Sequence, residues 1–243
     1  KTWRLILLKQ KSEEAMNKFA AIVLSAGVGS RMKSDIPKQY IDLAGKPVIY
    51  YSLKAFEDAG FSSIVLVCGK DDVEYCQEQI VKKHKLKNVT AIVPGGKERY
   101  HSVFEGLKAV GEADYVFIHD GARPMLTQEI IARLKDAVIK EEAAVAGMPV
   151  KDTIKIADEN GFAKKTPNRN FVWMIQTPQV FETALVKKAY GMLMEQAHIA
   201  VTDDAMVVET MLGQNVKLIE GSYRNIKITT PEDLAIAEVF AAM

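Results

Sequence analysis

The chain is poor in cysteine and carries almost no net charge, and both shortages exclude classes of protein. Its 243 residues include only two cysteines, Cys68 and Cys76, which are too few for a disulfide framework. We therefore expect two reduced thiols, as is typical of a cytoplasmic protein, rather than a bridge or a metal site. A formal net charge of +1 gives no sign of a nucleic-acid-binding protein, which would carry a strongly basic domain or stripe.

Long hydrophobic runs are also missing. No apolar stretch approaches the roughly 20 residues that a membrane-spanning helix needs, so we expect no membrane association. Residues 1–18 hold only a short apolar cluster and lack the cleavage site of a secretory signal. We interpret residues 1–18 as an N-terminal extension that is not native before Met16, and residues 19–243 as one domain.

Strand-like and helix-like segments alternate through most of the chain. Mainly apolar runs predict strands at 19–24, 63–68, 89–93, 115–119 and 143–149, and we predict two further strands at 216–220 and 225–229. Helical patterns lie near 47–59, 71–84, 99–110, 128–142, 182–197, 203–212 and after Thr230. Buried strands separated by helices predict an α/β fold, with a Rossmann-like, doubly wound and mainly parallel sheet covered on both faces.

The alternation breaks after Pro149. Residues 152–157 alternate polar and apolar side chains, Asn160-Gly161 supplies a turn, and residues 162–166 return. This pattern predicts a β-hairpin that is too short to bury a core of its own. We expect residues 150–170 to project as a β-arm that packs against a partner subunit or the rim of the site.

A loop of small residues follows the first strand and is the strongest functional signal in the chain. Gly27 and Gly29 free the backbone there to approach a ligand closely. Arg31 and Lys38 then supply two cations within a short stretch. Because small residues, exposed N–H groups and paired cations suit a polyphosphate, we predict a nucleotide triphosphate site at this loop.

Two common phosphate-binding loops do not match. A nicotinamide-dinucleotide fingerprint needs a third glycine, where this chain has Met32, and a later acidic residue after a second strand. The P-loop pattern G-x-x-x-x-G-K-[ST] is absent as well. An oxidoreductase with a degenerate glycine loop and a non-catalytic nucleotide-binding regulator stay open as alternatives, although retention of both Arg31 and Lys38 disfavours the regulator.

A second cluster of polar residues, His119 to Pro124, follows a central predicted strand. Ligands of α/β folds bind at that end of the strands. The Asp120 carboxylate can hold Mg²⁺ or a ribose hydroxyl, and Arg123 can fork onto a phosphate. An internal Asp–Arg pair in a turn is the competing interpretation. We expect His119 to be a structural, hydrogen-bonded histidine, since no nucleophile neighbours it in the sequence.

Six motifs, taken in order, resemble a known family. They read S-A-G-x-G-S-R-M…P-K-Q-Y, P-G-G-x-E-R…S-V, H-D-G-A-R-P, P-V-x-D-T-I-K, R…Q-T-P-Q and N-I-K-I-T-x-P-E-D-L, and they span about residues 19–243. This series resembles the 2-C-methyl-D-erythritol 4-phosphate cytidylyltransferases of the non-mevalonate isoprenoid pathway. The chain departs from the family at Ser25, commonly alanine, and at Lys97, where a related enzyme carries aspartate; neither change threatens the loop.

The resemblance implies a nucleotide-diphospho-sugar transferase fold and a specific reaction. The acceptor phosphate attacks the α-phosphorus of CTP in line and releases pyrophosphate, with Mg²⁺ or another divalent cation bridging phosphate oxygens. A phosphate monoester has a second pKa near 6 and needs no general base at neutral pH. Catalysis should then consist of positioning and charge neutralisation.

The resemblance also implies roles for individual residues. The catalytic set is Arg31, Lys38, Arg169 and Lys227. The substrate-binding set is Ser25, Ala26, Gly27, Gly29, Gly96, Ser102, Asp120, Gly121, Arg123, Thr153 and Thr177. Asp120 is in addition the candidate metal ligand. In this family the arm embraces a second subunit, which implies that Thr153 and Arg169 complete the partner's site in a homodimer.

The nearest rival is a ribitol-5-phosphate cytidylyltransferase, which would use the same chemistry on a related acceptor. Residues 150–155 and the spacing from Arg31 to Lys38 favour the erythritol enzyme. Acceptor choice depends on pocket shape, so the sequence leaves this alternative open.

Overall fold

The computed structural model describes residues 17–27, 32, 36–196 and 200–243. Its main sheet has seven strands, β1 (Phe19–Ser25), β4 (Ser63–Cys68), β5 (Val89–Pro94), β6 (Tyr115–Asp120), β7 (Ala143–Pro149), β10 (Trp173–Glu182) and β11 (Lys217–Glu220). Two short ribbons pair β2 (Asp42–Leu43) with β3 (Lys46–Pro47), and β8 (Ile156–Ala157) with β9 (Ala163–Lys165).

The strand order in the main sheet is β11-β7-β10-β6-β1-β4-β5. All neighbouring pairs are parallel except those of β10, which runs antiparallel between β6 and β7. The mainly parallel, doubly wound sheet predicted from the sequence is therefore confirmed. Its reversed strand was not predicted, because Gln176-Thr-Pro-Gln interrupts the apolar pattern of residues 173–182.

The strand predicted over 225–229 is wrong. These residues take no regular secondary structure. The Asn225 side-chain amide donates to Thr177 O at 2.9 Å, and the Ile228 N–H donates to Ala122 O at 2.8 Å. The segment is thus held by loops at the end of the sheet rather than by a strand ladder, and this position brings Lys227 into the site.

Seven α-helical segments connect the strands in the part of the chain that the structure describes. They are α1 (Val48–Asp58), α2 (Val73–Tyr75, continuing as a π-helical segment over Cys76–Lys82), α3 (Arg99–Ala109), α4 (Gln128–Glu141), α5 (Thr183–Met194), α6 (Asp204–Leu212) and α7 (Pro231–Ala241). Thr127 and Thr230 are the N-cap residues of α4 and α7. Asp203 caps α6, with its Oδ1 accepting the Met206 N–H at 2.9 Å.

The all-apolar sequence of β1 is explained by burial on both faces. Ala21 and Val23 belong to a core that includes α1 and α4, whereas Ala20 and Ile22 point to the opposite core with α3, α5 and α6. All four side chains are fully buried. Since successive strand residues face opposite sides, a strand covered twice needs apolar residues at every position.

The predicted hairpin forms as β8 and β9, and its residues are exposed. Asp158 Oδ1 accepts the backbone N–H groups of Asn160 and Phe162, and Gly161 takes a positive φ of 84° at the turn. The exposed Phe162 side chain has no core to join within the hairpin. Contact with a partner subunit stays a prediction.

Both cysteines are buried and free, as the sequence indicated. No helix in the described ranges is long and apolar enough to cross a membrane.

Candidate active site

The site lies where β1 and β6 end. The two strands are parallel neighbours, with Leu24 beside Asp120, so the loops that follow them leave the sheet together. They border a pocket of about 210 Å³. It is lined by Leu24, Ala26, Gly27, Lys38, Gln39, Gly96, Lys97, Glu98, Arg99, Ser102, Asp120, Ala122 and Lys227.

The loop after β1 is held from behind by Gln39. Its side-chain amide nitrogen donates to Ser25 O and to Gly27 O, both at 2.9 Å. Because the carbonyls of Ser25 and Gly27 both bond to the Gln39 nitrogen, the backbone between them, at Ala26, is held in place. The sequence motif contained Gln39 but did not show this task. Gly29 and Arg31, predicted for the same loop, lie outside the described residues.

The Gly95-Gly96 turn forms the opposite wall. Ser102 Oγ accepts the Gly96 N–H at 3.1 Å and thereby fastens the turn to α3. A Cβ at Gly95 would lie 2.5 Å from Ala26 Cβ. The two loops can approach this closely only because the residues at their contact are small.

Lys38 enters the pocket from the short 3-10 turn of residues 38–40. Its Nζ donates to Ile228 O at 2.9 Å, and the side chain is largely buried. This contact brings Lys38 to the segment that carries Lys227, although the two lysines are far apart in the sequence. The structure therefore assembles three predicted charges, those of Lys38, Asp120 and Lys227, around one cavity.

Asp120 is surrounded by cations. Its Oδ2 lies 2.8 Å from Lys227 Nζ and 3.9 Å from Arg123 Nε, and its Oδ1 lies 3.3 Å from Arg99 Nε. Burial alone would raise the pKa of Asp120, but the charges of Arg99 and Lys227 outweigh that effect and hold the pKa well below its usual range. Asp120 is therefore ionised at any physiological pH.

A second pocket, of about 270 Å³, lies on the other side of Asp120. It shares Arg99, Asp120 and Lys227 with the first pocket, and its other lining residues are Arg123, Ile175, Gln176, Thr177, Gln179, Thr202 and Asp203. Arg123 donates from Nη1 to Asn225 O at 2.7 Å, while its buried Nε has no hydrogen-bond partner among the described residues. An unpaired guanidinium donor beside this pocket suits an anionic ligand.

The fold and the site agree with comparisons to known proteins. Residues 19–242 match the family model for IspD: 2-C-methyl-D-erythritol 4-phosphate cytidylyltransferase. The chain is 52% identical to the protein of that name from Lachnospira eligens, over 90% of this chain and 97% of the relative. It is 47% identical to the one from Caldanaerobacter subterraneus subsp. tengcongensis, over 91% and 97%.

Solved structures give the same result. The 4-diphosphocytidyl-2C-methyl-D-erythritol synthase from Anaerococcus prevotii superposes with a TM-score of 0.81 at 32% identity, covering 93% of this chain and 99% of that one. The cytidylyltransferase from Thermus thermophilus reaches 0.75 at 28% identity, covering 93% and 100%. The chain belongs to the 2-C-methyl-D-erythritol 4-phosphate cytidylyltransferase family.

Membership identifies the chain as a nucleotidyltransferase enzyme of the non-mevalonate isoprenoid pathway. The family's reaction, transfer of a cytidylyl group from CTP to 2-C-methyl-D-erythritol 4-phosphate, is the reaction of this chain. The resemblance seen in the sequence is thus confirmed. This excludes the two alternatives, a nicotinamide oxidoreductase and a non-catalytic regulator, because neither class transfers a cytidylyl group.

Four predicted site residues in the described ranges line neither pocket: Ser25, Gly121, Thr153 and Arg169. Thr153 and Arg169 belong to the exposed arm, and Arg169 Nη1 donates to Lys151 O at 2.9 Å. Within one chain, therefore, neither arm residue lines a pocket that Lys227 lines. Gly121 also lines neither pocket; it packs beneath the site, where a Cβ would lie 2.2 Å from Ile49 Cδ1.

One ion-pair network was missed by sequence reasoning. Arg99 Nη1 and Nη2 each lie 2.8 Å from a carboxylate oxygen of Asp204, and Tyr190 OH donates to Asp204 Oδ1 at 2.5 Å. Arg99 stands in the predicted P-G-G-x-E-R motif, which is the only signal that could have pointed to it. No motif pointed to Asp204. It is the first residue of α6, a position where acidic residues are common in any helix.

The carboxylates of the site suit a metal ion carried by a substrate. The described residues contain no group of three or more histidines, cysteines, aspartates or glutamates that could hold a metal. The ionised Asp120 and Glu98 are the two acidic residues that line the first pocket. Mg²⁺ is commonly bound through one or two carboxylates together with substrate phosphates, so the donor set fits a divalent ion of that kind.

Proposed function

We propose that the two pockets are the two substrate subsites of cytidylyl transfer. The pocket beside the Gly27 loop takes CTP, and the pocket beside Arg123 takes the phosphate of 2-C-methyl-D-erythritol 4-phosphate. The observation that carries this proposal is their common wall of Arg99, Asp120 and Lys227. An in-line displacement needs two phosphates to meet at one point, and this wall is the point where the pockets meet.

The reaction needs no protein base. An oxygen of the acceptor phosphate forms a bond to the α-phosphorus of CTP, and the bond from that phosphorus to the bridging oxygen of the β-phosphate breaks. Pyrophosphate leaves with the electron pair, and the product is a diphosphate diester. The attacking phosphate is largely dianionic at neutral pH, so it is already a nucleophile.

In the nucleotide subsite, Ser25, Ala26, Gly27, Gly29 and Gly96 supply backbone contacts, and Ser102 holds the Gly96 turn. Arg31 and Lys38 stabilise charge that develops on the α- and β-phosphates. The buried position of Lys38 supports its role, because a cation in a partly desolvated site stabilises charge more strongly than one in water.

In the acceptor subsite, Lys227 and Arg123 orient the attacking phosphate. We propose that Thr153 and Arg169 of a second subunit complete this subsite in a homodimer, since both residues are exposed and line neither pocket of their own chain. We place the enzyme in the cytoplasm, and residues 19–243 in one domain with an arm over 150–170. No nucleic acid or membrane partner is proposed.

A divalent ion, Mg²⁺ in the first instance, would be held by Asp120 and the nucleotide phosphates. When bound, it neutralises charge on the triphosphate. Lys227 and Arg99 already contact the Asp120 carboxylate, so these side chains fix its orientation toward the nucleotide pocket.

A pyrophosphate-release assay tests the function. The enzyme is supplied with Mg²⁺, each of four nucleoside triphosphates, and either methylerythritol phosphate or ribitol 5-phosphate. We expect release only with CTP and methylerythritol phosphate, with the diphosphate product confirmed by phosphorus NMR. Preference for ribitol 5-phosphate would move the enzyme to the rival assignment. Absence of release with every pair would overturn the proposal.

A further inference from the structure

Tyr223 contacts the base of the arm at two points. Its hydroxyl donates to the carbonyl of Pro149, the last residue of β7, at 2.8 Å. Its ring faces Lys151, with 3.6 Å between Lys151 Nζ and the ring centroid, well within the range of a cation–π contact. A single contact would leave the arm free to pivot. Two contacts, one on each side of Val150, fix the direction in which the arm leaves the sheet.

Lys151 connects Tyr223 to Arg169. Arg169 Nη1 donates to the Lys151 carbonyl at 2.9 Å, and the Val150 N–H donates to Val172 O at 3.0 Å where the two sides of the arm meet. Tyr223 therefore holds the Lys151 side chain, and the Lys151 backbone holds the Arg169 guanidinium. Since a guanidinium has five N–H donors, this bond can hold Arg169 in place while other donors contact a phosphate.

The loop that carries Tyr223 is itself fixed to β10. Gln176 Nε2 donates to Ser222 O at 2.8 Å, and Asn225 Nδ2 donates to Thr177 O at 2.9 Å. Both donor side chains belong to buried residues. Because the loop is bonded to the sheet before and after Tyr223, the tyrosine is a fixed point of the subunit body against which the arm is held.

We propose that Tyr223 is a positioning residue that acts through Lys151 on Arg169, and that it thereby serves the active site of the partner subunit. This inference rests on the proposed homodimer, in which the arm of one chain completes the acceptor subsite of the other. Displacement of a positioned group by about 1 Å can cost on the order of 100-fold in rate. Tyr223 and Lys151 thus influence turnover although they line neither pocket of their own chain.

Subunit complementation tests which active site Tyr223 serves. In a dimer of one Arg169→Ala chain and one Lys227→Met chain, the single intact site combines Lys227 of the first chain with the arm of the second. Tyr223→Leu is added either to the Lys227→Met chain, whose arm serves that site, or to the Arg169→Ala chain, whose arm does not. Pyrophosphate release is measured after verified subunit exchange.

We expect the recovered activity to fall about 10-fold when Tyr223→Leu is in the Lys227→Met chain. It should stay near that of the parent pair when Tyr223→Leu is in the Arg169→Ala chain. The two dimers carry the same three substitutions and differ only in which chain holds Tyr223→Leu. A general loss of stability would therefore affect both alike.

Variants of the contact itself give a second measurement. With the rest of the enzyme unchanged, Lys151→Met should lower kcat about 10-fold with little change in the KM for CTP. Lys151→Arg should restore kcat, because a guanidinium also binds the face of an aromatic ring. Tyr223→Phe keeps the ring and loses only the bond to Pro149, so its kcat should lie between those of wild type and Tyr223→Leu. A wild-type kcat in Lys151→Met would refute the path through Lys151 and with it the proposal.

The outcomes separate this proposal from the proposed function. If the parent pair recovers no activity, the arm does not serve a partner, and the proposed dimer site fails together with the inference. If the parent pair recovers activity and Tyr223→Leu weakens it equally from either chain, or more from the Arg169→Ala chain, Tyr223 acts on the pocket of its own chain and only the inference is overturned. The absence of any effect from either chain overturns it as well. A loss confined to the chain that provides the arm supports it.

Discussion

Arg99 and Asp204 form a two-point ion pair in which each terminal guanidinium nitrogen lies 2.8 Å from a carboxylate oxygen. Asp204 is completely buried, whereas Arg99 lines both pockets of the candidate site. The pair joins the first turn of α3 to the first turn of α6. It therefore fixes a pocket-lining cation through a residue that touches neither pocket.

Replacing Asp204 by asparagine should destabilise the fold. The substitution removes the two-point partner of Arg99 and leaves this partly exposed cation only its contact with Asp120 Oδ1 at 3.3 Å, so we expect a loss of about 1–3 kcal/mol in the free energy of unfolding. Urea unfolding measures the change. Glu209→Gln, an exposed substitution on the same helix, should be close to neutral. A wild-type midpoint in Asp204→Asn would show that the pair contributes no net stability.

Lys227→Met should reduce turnover more than it reduces nucleotide binding. Lys227 lines both pockets, so in the proposed reaction its charge would act where the two phosphates meet. Loss of one such electrostatic stabiliser should lower kcat on the order of 10²- to 10³-fold. Steady-state pyrophosphate release measures kcat and the KM for CTP. The control is Lys217→Met at an exposed position of β11, and an equal fall in both variants would contradict the assignment.

The sheet was largely predictable because its strands are buried on both faces. Continuous apolar runs such as residues 19–24 and 63–68 have few other interpretations. The antiparallel strand β10 could not be found in this way. Gln176, Thr177 and Gln179 are buried but polar, since their side chains hydrogen-bond to Ser222 O, His119 and Asp203 respectively. Because these polar side chains serve the site, β10 lacks the continuous apolar pattern that predicts a buried strand.

Site residues that stand in a recognisable motif could be predicted from the sequence. Residues whose role depends on a partner far away in the sequence could not. Asp120 and Lys227 stand in recognisable motifs, and the structure places them 2.8 Å apart. The Arg99–Asp204 pair spans 105 residues, a separation that no local pattern reports. Gln39 was overlooked for a different reason: its task is to hold backbone carbonyls, which carry no sequence signal.

Arg169→Ala should abolish turnover and leave CTP affinity nearly intact, because Arg169 belongs to the arm and not to the nucleotide pocket. Mixing two inactive variants, Arg169→Ala and Lys227→Met, tests whether the arm serves a partner. We expect roughly a quarter of the wild-type activity, since half of the dimers are mixed and each holds one intact site. No recovery after verified subunit exchange would place Arg169 in the site of its own chain.

His119 should make stability depend on pH between 7 and 5. Burial lowers the pKa of His119 from 6.5 to about 4. Between these values the unfolded chain binds a proton that the folded chain does not, so the free energy of unfolding falls as the pH falls. At about 1.4 kcal/mol per pH unit, the loss by pH 5 should be about 2 kcal/mol. His119→Phe should lack this part of the loss in urea unfolding at the two pH values, and an identical pH dependence in both proteins would refute the assignment.

Gly121→Ala should destabilise the protein although Gly121 touches neither pocket. A Cβ there would lie 2.2 Å from Ile49 Cδ1 and 2.9 Å from Leu24 O. The Ile49 side chain can rotate away, but Leu24 O cannot, because it accepts the Gly121 N–H at 2.8 Å at the end of β1. We therefore expect a loss of about 1–3 kcal/mol in the free energy of unfolding.

Gly191→Ala is the matched control for this substitution. Gly191 lies within α5, and a Cβ there would meet no atom within 4 Å. Because alanine favours a helix over glycine, this variant should gain about 0.5–1 kcal/mol. Thermal and urea unfolding of both variants measure the two changes. If the two variants change the free energy of unfolding in opposite directions, contact with the end of β1, rather than the loss of a flexible glycine, determines the effect at Gly121. A neutral Gly121→Ala would contradict this and show that the turn can shift to accommodate the added Cβ.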